Sequence, residues 1–370
     1  MKKTLLLCLT LITATYCFAQ QQLATLNHND SISVYYGSTA LQQAYSAAVD
    51  SDIITLSSGT FASVDIGKAV TIRGAGMYVD TVAGTSPTII SGDFTISHSD
   101  GTLSNHIRLE GMHFINNLNF RTTNYPEFTK CEFDVVQGLS ITRNGQTFNM
   151  ANATFINCII KNLQIVKRYA YYSYYTYREY TYIRNSVFIN SAVMNTFYYD
   201  DNTSSGSTYY VSNATVSATG TNNSFTNCIV RLHPAEAQYY STNNCILYYD
   251  VADSSNSSVT YNSIGINYDS NSANYFNSSI LNGQNLHNYN SLSSVFKTFT
   301  GTYTSGGTSF ELQDSIASSI LGTDNTQVGI YGGSMPFDPY VRHPLVRRCN
   351  VASRSTADGK LAVDIEIVSE

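Results

Sequence analysis

Charged side chains are scarce in this sequence. Asp, Glu, Lys and Arg make up 12% of its 370 residues, about half of the usual share, and the formal net charge is −6. Nucleic-acid binding needs a basic face that neutralises phosphates, so the composition disfavours that class of partner. Asn, Ser, Thr and Tyr take the place of the missing charges, as suits an exported protein that stays soluble through hydroxyls and amides.

Metal-binding motifs are also missing. Five of the seven cysteines lie beyond the first twenty residues, and none forms a Cys-x-x-Cys pair, which argues against the common zinc sites and a dense disulfide scaffold. His106 and His113 could converge across one turn, yet no histidines have metal-ligand spacing. The sequence therefore predicts no metal and no cofactor; calcium is possible, but nothing indicates it. The five cysteines are Cys131, Cys158, Cys228, Cys245 and Cys349.

No apolar stretch reaches the roughly 20 residues that cross a bilayer. Lys2 and Lys3 precede a shorter apolar stretch from Leu5 to Phe18, which Ala19-Gln20 follows; this pattern is typical of a secretory signal peptide. We expect residues 1–19 to be removed near Ala19 or Gln20, which would make the protein secreted, periplasmic or cell-surface. Lipidation at Cys17 is the alternative, although Thr-Tyr before it is a poor match to a lipidation site.

A short motif recurs through the middle of the chain: a polar residue, then Cys or Ser, then an apolar run. Aligned on the Cys or Ser, its copies are 27, 28, 42, 17, 18 and then 15 or 16 residues apart. Constant strands joined by loops of varying length would give such irregular spacing. The aligned residues are Cys131, Cys158, Ser186, Cys228, Cys245, Ser263 and Ser278 or Ser279.

Stacked coils explain the motif. Strands of successive coils lie about 4.8 Å apart, so equivalent residues form columns. An Asn at the bend tolerates left-handed backbone geometry, and an inward Cys or Ser is small enough for a crowded corner. We interpret the thiols as small core residues, with disulfides between stacked pairs as the less favoured alternative.

The two ends of the chain have different patterns. In residues 38–52, Leu41, Ala44, Tyr45, Ala48 and Val49 recur at helical spacing, which predicts a helix that caps one end of the array. Strand and turn patterns then alternate from residue 52 to residue 117. Residues 339–370 read as two strands around Asp358-Gly359, a terminal hairpin. We therefore predict an all-β fold, a parallel β-helix over residues 20–338, with a cap at each end.

These segments resemble the right-handed parallel β-helix proteins of the pectate-lyase-like superfamily, especially secreted Bacteroidetes members. The resemblance is carried by ALQQAYSAAVDSDIITLSSGTF, VTIRGAG, TIISGD, IRLEGMHFIN and the repeated coils, and by QVGIYGGSMPFDP and STADGKLAVDIEIVS near the end. It covers residues 30 to 370 approximately. It implies the fold; one fold carries many functions.

Catalytic patterns of that superfamily are incomplete here. Arg342-His343-Pro344-Leu345-Val346-Arg347 matches the lyase signature R-x-P-x-x-R, but it lies beyond the coils, and the Trp-containing motif that accompanies the signature is missing because the chain has no Trp. Asp200-Asp201 is the single Asp-Asp pair. Paired carboxylates can protonate a leaving oxygen and activate water, so these two are weak catalytic candidates; a solvated loop is the more ordinary interpretation.

A tyrosine-rich stretch interrupts the coils at residues 167–185. Its rings and hydroxyls suit a recognition surface, and rows of them could hold a sugar chain; a Tyr-rich hairpin that merely covers the body is the alternative. The candidate binding residues are Tyr169, Tyr171, Tyr172, Tyr174, Tyr175, Tyr177, Arg178, Tyr180 and Tyr182.

Three functions fit this sequence. The first is a non-catalytic protein that binds a polysaccharide or another cell-surface ligand. The second is a polysaccharide lyase or glycoside hydrolase, and the third is a structural or adhesive shaft. The absence of a coherent catalytic set, beside an aromatic stretch, favours the first.

Overall fold

We describe the chain from a computed structural model. The signal-peptide prediction for residues 1–19 lies outside the described residues, and in several later strands the backbone alone is described. The described residues are 22–79, 86–139, 147–171, 177–194, 196–201, 223–231, 240–243, 245–252, 260–265, 288–289, 292–299, 303–305, 309–318, 321–334, 336–337, 345–351 and 363–368.

The fold is predominantly β, with long parallel sheets. In the described part of the chain, a first sheet has ten strands. The first two in spatial order form an antiparallel hairpin, the third pairs antiparallel with that hairpin, and the pairings from the third strand onward are parallel and in sequence order. In spatial order these strands are Ser31–Tyr36, Leu23–His28, Ile53–Leu56, Thr71–Arg73, Arg108–Glu110, Glu127–Thr129, Thr154–Ile156, Val187–Ile189, Asn223–Thr226 and Tyr240–Asn243.

The remaining strands of the array form a second, larger set, which we call the second sheet. Most of its strands pair in parallel with the strand one repeat later. Its strands are Gly59–Ala62, Asp65–Ile66, Thr88–Ser91, Phe94–Ile96, His113–Phe120, Thr123–Asn124, Glu132–Gly138, Thr147–Ala151, Ile159–Ile160, Leu163–Tyr171, Tyr177–Arg184, Ala192–Val193, Thr196–Asp201, Ile229–Arg231, Ile246–Ala252, Thr260–Gly265 and Asn288–Tyr289.

Left-handed turns follow the strands of the first sheet and form a column. Lys130, Asn157, Asn190 and Asn227 have φ of 51°, 50°, 47° and 55°. In each of the first three, the backbone N–H donates to a carbonyl one repeat later, at 2.9, 3.1 and 3.0 Å, on Ile156, Ile189 and Thr226 respectively. Left-handed geometry costs most residues about 1–2 kcal/mol, and Asn tolerates it best after Gly. The predicted role of Asn157 at a bend is confirmed.

Aromatic rings stack behind this column. Phe128, Phe155, Phe188 and Phe225 are fully buried, and successive ring centroids lie 4.5, 4.6 and 4.5 Å apart. Each buried Phe contributes about 1.5–3 kcal/mol. Because identical side chains meet at each repeat, this stack fixes the register of the parallel strands.

The small residues beside the turns form the predicted buried column, with two errors in its alignment, at Ser186 and at Ser263. Cys131, Cys158, Cys228 and Cys245 are buried free thiols, as expected. The residue beside Cys158 is Ser191, whose hydroxyl accepts the Cys158 backbone N–H at 3.1 Å, so the predicted place of Ser186 is wrong.

Two Asn turns flank the same strand, which explains that error. Ser186 belongs to the turn before the strand, where its Oγ accepts the backbone N–H of Ala153 at 3.1 Å. Ser263 was also placed wrongly: its strand, Thr260–Gly265, pairs antiparallel with Ile246–Ala252 rather than adding a parallel repeat. Ser278 and Ser279 lie outside the described residues.

Helices are few and short among the described residues. The first buries Leu41, Ala44 and Tyr45 against the beginning of the array, whereas Val49, predicted on the same apolar face, lies beyond its end and is 49% exposed. The helices are Ala40–Ala47, a single 3-10 turn at Leu292–Ser294, and Asp314–Ala317. At the end of the chain, strands Leu345–Val351 and Val363–Val368 pair antiparallel; residues 352–362 between them lie outside the described part.

The chain returns over the outer face of the second sheet. We call residues 292–337 the C-terminal cover. Ile159, Ala192 and Ile229 on the sheet form a second buried apolar cluster with residues of the cover. The cover also contacts the turn column: Asn157 Nδ2 donates to the carbonyls of Ile330 and Gly332 at 2.8 and 2.9 Å. Asn157 thus supports the fold twice, through its backbone geometry and through its side-chain hydrogen bonds.

Replacing turn asparagines with glycine separates those two contributions, because glycine keeps the left-handed geometry at little cost. Asn157→Gly removes two donors to buried carbonyls, so we expect it to lower the free energy of unfolding by about 1–3 kcal/mol. Asn190 is the matched control, since its buried amide has no hydrogen-bond partner among the described residues. Urea unfolding midpoints measure both losses. Equal losses, or a larger loss for Asn190→Gly, would contradict the assigned bonds.

Candidate functional site

The tyrosine-rich stretch forms two antiparallel strands of the second sheet. Leu163–Tyr171 pairs with Tyr177–Arg184, so that Arg168 lies opposite Tyr180 and Tyr171 opposite Tyr177. Both strands also join parallel neighbours, Thr196–Asp201 on one side and Thr147–Ala151 on the other. Tyr169, Tyr171, Tyr177, Arg178, Tyr180 and Tyr182 are thereby placed at backbone register positions; Tyr172, Tyr174 and Tyr175 lie outside the described residues.

The Asp pair ends a strand beside this stretch. Asp200 is in register with Arg168, and Asp201 with Tyr169. Backbone register alone is described here, so a catalytic role for either carboxylate stays a prediction. Of the R-x-P-x-x-R match, Arg342 and Pro344 lie outside the described residues, and Arg347 belongs to the strand Leu345–Val351.

A charged cluster occupies the outer face of the second sheet, near one end of the C-terminal cover. His113 and Glu132 are in register on neighbouring parallel strands, and the residues that follow them, Phe114 and Phe133, stack in the interior. Successive residues of a strand point to opposite faces, so His113 and Glu132 face outward, as does Asp134, two residues beyond Glu132. Lys161 belongs to the next repeat, and its backbone N–H donates to the Phe133 carbonyl.

The four side chains converge within ion-pair distance. His113 Nε2 lies 3.3 Å from Glu132 Oε1 and 3.4 Å from Asp134 Oδ1. Lys161 Nζ lies 3.2 Å from the same Glu132 oxygen and 2.5 Å from Asp134 Oδ1. Glu132 is fully buried, whereas the Asp134 and Lys161 side chains are 32% and 25% exposed. The cluster is therefore closed on the Glu132 side and open to solvent on the other.

The C-terminal cover closes the buried side. Ser305 Oγ donates to Glu132 Oε2 at 3.0 Å, and Lys161 Nζ lies 5.6 Å from the centre of the Tyr303 ring. The hydroxyls of Tyr303 and Tyr78 contact each other. These contacts join residues distant in sequence, so the cluster holds the cover against the sheet.

Burial and charge shift the acid–base behaviour of this cluster. Burial, with the neighbouring charge of Glu132, raises the pKa of Tyr78 well above its usual range. Burial and the proximity of Tyr78 and Glu132 do the same to the pKa of Tyr303. Desolvation opposes the charge of Lys161, but its hydrogen bond to Asp134 and the charge of Glu132 outweigh that effect, so its pKa is raised. All three groups hold their protons more tightly in the native state.

Other histidines have separate partners. His106 Nε2 faces Glu127 Oε2 at 3.4 Å and accepts from Arg108 Nε at 3.0 Å, and His28 Nδ1 lies 2.8 Å from Asp52 Oδ1. Among the described residues, His113, Glu132 and Asp134 form the single set of three potential metal ligands with donor atoms within 4.8 Å of one another.

Sequence spacing could not reveal this cluster. His113 and Glu132 are 19 residues apart, a separation set by the length of one coil rather than by a local motif. The available signal was a charged residue on each side of Phe133, in a segment read as a buried coil. Aligning Phe133 with Phe114, one repeat earlier, would also have placed Glu132 opposite His113.

Comparison with known proteins does not assign this chain to a family. No family model matches the sequence, and no curated protein or solved structure is significantly similar to it. In the described part of the chain, no helix is long and apolar enough to cross a membrane. The parallel strand pairing is compatible with a β-helix and does not by itself assign a superfamily.

The raised pKa values predict how stability depends on alkaline pH. The native state keeps protons on Tyr78, Tyr303 and Lys161 that the unfolded chain loses first, so the stability they contribute is complete below about pH 10 and falls above it. We expect the urea midpoint to fall between pH 8 and pH 11, and to fall less in Tyr303→Phe. Tyr36→Phe, at a 54% exposed tyrosine, is the control and should match the wild type. An unchanged fall in Tyr303→Phe would contradict the assignment.

Proposed function

We propose that the protein is an exported or surface-displayed parallel β-helix that binds an extended glycan without cleaving it. The observation that carries this proposal is the backbone register of the tyrosine-rich strands, which belong to a continuous four-strand surface rather than to a separate loop. The signal-like N terminus and the polar, weakly charged composition support export.

The solenoid itself is part of the proposal. Strands in both sheets pair in parallel with the strand one repeat later, turn residues align in a column, and each repeat adds one ring to the Phe stack. From the superfamily resemblance, we infer that the coils wind in a right-handed sense. The helix Ala40–Ala47 would close the first coil, since its buried residues pack into the main core.

The register divides the tyrosine-rich strands into two faces. Thr181 and Ile183 are buried, so alternate residues Tyr180 and Tyr182 take register positions on the opposite, outward face. On the neighbouring strands, Arg168 is in register with both Tyr180 and Asp200. Val166 is likewise in register with both Tyr182 and Tyr198. We call Tyr180, Tyr182, Tyr198, Arg168 and Asp200 the aromatic surface. Tyr169, Tyr171 and Tyr177 share the face of Thr181, which removes them from it.

Such a surface suits a polysaccharide. Strands about 4.8 Å apart repeat rings and polar groups at a spacing that a sugar chain can follow. Tyrosine supplies a flat ring for the apolar face of a sugar and a hydroxyl for its edge, and Arg168 and Asp200 supply charged hydrogen-bonding groups. Tyrosine also loses little conformational entropy when it binds.

The double variant Tyr180→Ala/Tyr182→Ala tests the aromatic surface. Each ring contributes about 0.5–1.5 kcal/mol, so we expect the pair to weaken binding about tenfold or more. Affinity electrophoresis and calorimetry against a panel of neutral and uronic-acid polysaccharides would measure the change. Tyr36→Ala, an exposed tyrosine of the N-terminal hairpin, is the matched control and should bind as the wild type does.

The same panel separates the three functions. Retained affinity in the double variant would contradict the aromatic surface, and no binding to any polysaccharide would favour a structural or adhesive shaft. New reducing ends or unsaturated products, lost in Asp201→Ala, would establish a lyase or hydrolase and overturn the binding-only proposal.

A further inference from the structure

The charged cluster on the second sheet brings two carboxylates, those of Glu132 and Asp134, to one imidazole and one ammonium group, those of His113 and Lys161. Glu132 is fully buried, and a buried carboxylate needs a cation or hydrogen-bond donors beside it. Lys161 takes that place in the metal-free protein, and a metal ion held by both carboxylates and by His113 Nε2 would take it when bound.

Two of the three donor-atom separations match those between metal ligands, and all three donor atoms lie within 4.8 Å of one another. The separations from His113 Nε2 to Glu132 Oε1 and Asp134 Oδ1 are 3.3 and 3.4 Å. Ligands about 2.0–2.1 Å from a tetrahedral ion lie about 3.3 Å from one another. The two separations therefore need little adjustment to close on one ion.

A second observation points into the same space. Glu132 Oε1 is buried and accepts no hydrogen bond of regular geometry from a described residue. Its close neighbours are His113 Nε2 and Lys161 Nζ, both at ion-pair distance. The other carboxylate oxygen, Oε2, is already occupied by Ser305. A buried carboxylate thus directs an oxygen that lacks a regular hydrogen bond at the space that His113, Asp134 and Lys161 surround.

We propose that His113, Glu132 and Asp134 bind one divalent transition-metal ion such as Zn²⁺. One imidazole and two carboxylates suit zinc and its neighbours, whereas Ca²⁺ takes six to eight oxygen ligands. Water can complete the coordination on the open side, where Asp134 is partly exposed. This site is separate from the aromatic surface, and the proposal does not depend on glycan binding.

The Lys161 ammonium group competes with that ion for the oxygens of Glu132 and Asp134. Its ammonium lies 3.2 Å and 2.5 Å from the oxygens that would bind the metal, so loading the metal requires the ammonium to move away. The side chain is 25% exposed and flexible, which gives it a path to solvent. Removing its charge should therefore strengthen metal binding, the opposite of what removing a ligand does.

Isothermal titration of the chelator-treated mature chain with Zn²⁺, and separately with Ca²⁺, tests the site. All proteins carry Cys349→Ser, which removes the cysteine outside the buried column. We expect one Zn²⁺ per chain, and His113→Ala should weaken its binding by at least about tenfold. Asp134→Asn, at a partly exposed position, should do the same if the first variant folds poorly. His106→Ala disrupts a comparable His–carboxylate pair and should leave the affinity unchanged.

Lys161→Gln gives the decisive comparison. Under the proposal it binds Zn²⁺ more tightly than the wild type, although the metal-free protein is less stable. A cluster that serves solely to hold the C-terminal cover would lose stability without any gain in affinity. The proposal is overturned if the wild type does not bind Zn²⁺, if Ca²⁺ is preferred, or if neither His113→Ala nor Asp134→Asn weakens binding.

Discussion

The column of left-handed turns after four successive strands of the first sheet, at Lys130, Asn157, Asn190 and Asn227, is the constraint on which the rest of the structure depends. At Lys130, Asn157 and Asn190 the backbone N–H turns along the stack and donates to the next repeat. Because the turn is locked at each of these levels, the Phe ring two residues earlier and the apolar strand after it recur at fixed positions. Loops elsewhere in the coil can then vary in length without disturbing the stack.

The outer face of the second sheet differs in character from one part of the sheet to the next. The C-terminal cover buries one stripe of the second sheet in an apolar cluster, and the charged cluster around Glu132 lies near the end of that stripe. The tyrosine-rich strands extend the same sheet farther along the coil. Both proposed sites thus lie on the outward side of a core in which Phe128, Phe155, Phe188 and Phe225 recur at successive repeats.

The repeated features were predictable from sequence, and the features that arise from their register were not. The Asn-Cys motif indicated left-handed turns and a small buried column because both depend on local residue type. Ser186 was misplaced because the same Asn-Ser pair occurs at two turns of one coil, and residue type cannot tell them apart. The charged cluster was not predicted, because its four residues come from three different repeats. The residues that cover it, 303–305, are also far from it in sequence.

Amide hydrogen exchange tests the stacked-turn account most directly. The N–H groups of Asn157 and Asn190 bond across repeats, whereas Asn325, also left-handed at φ 61°, donates within a local exposed turn. We predict that Asn157 and Asn190 exchange as slowly as the buried strands around them, and that Asn325 exchanges far faster. Fast exchange at Asn157 and Asn190, at the rate of Asn325, would contradict the turn column and the parallel stack built on it.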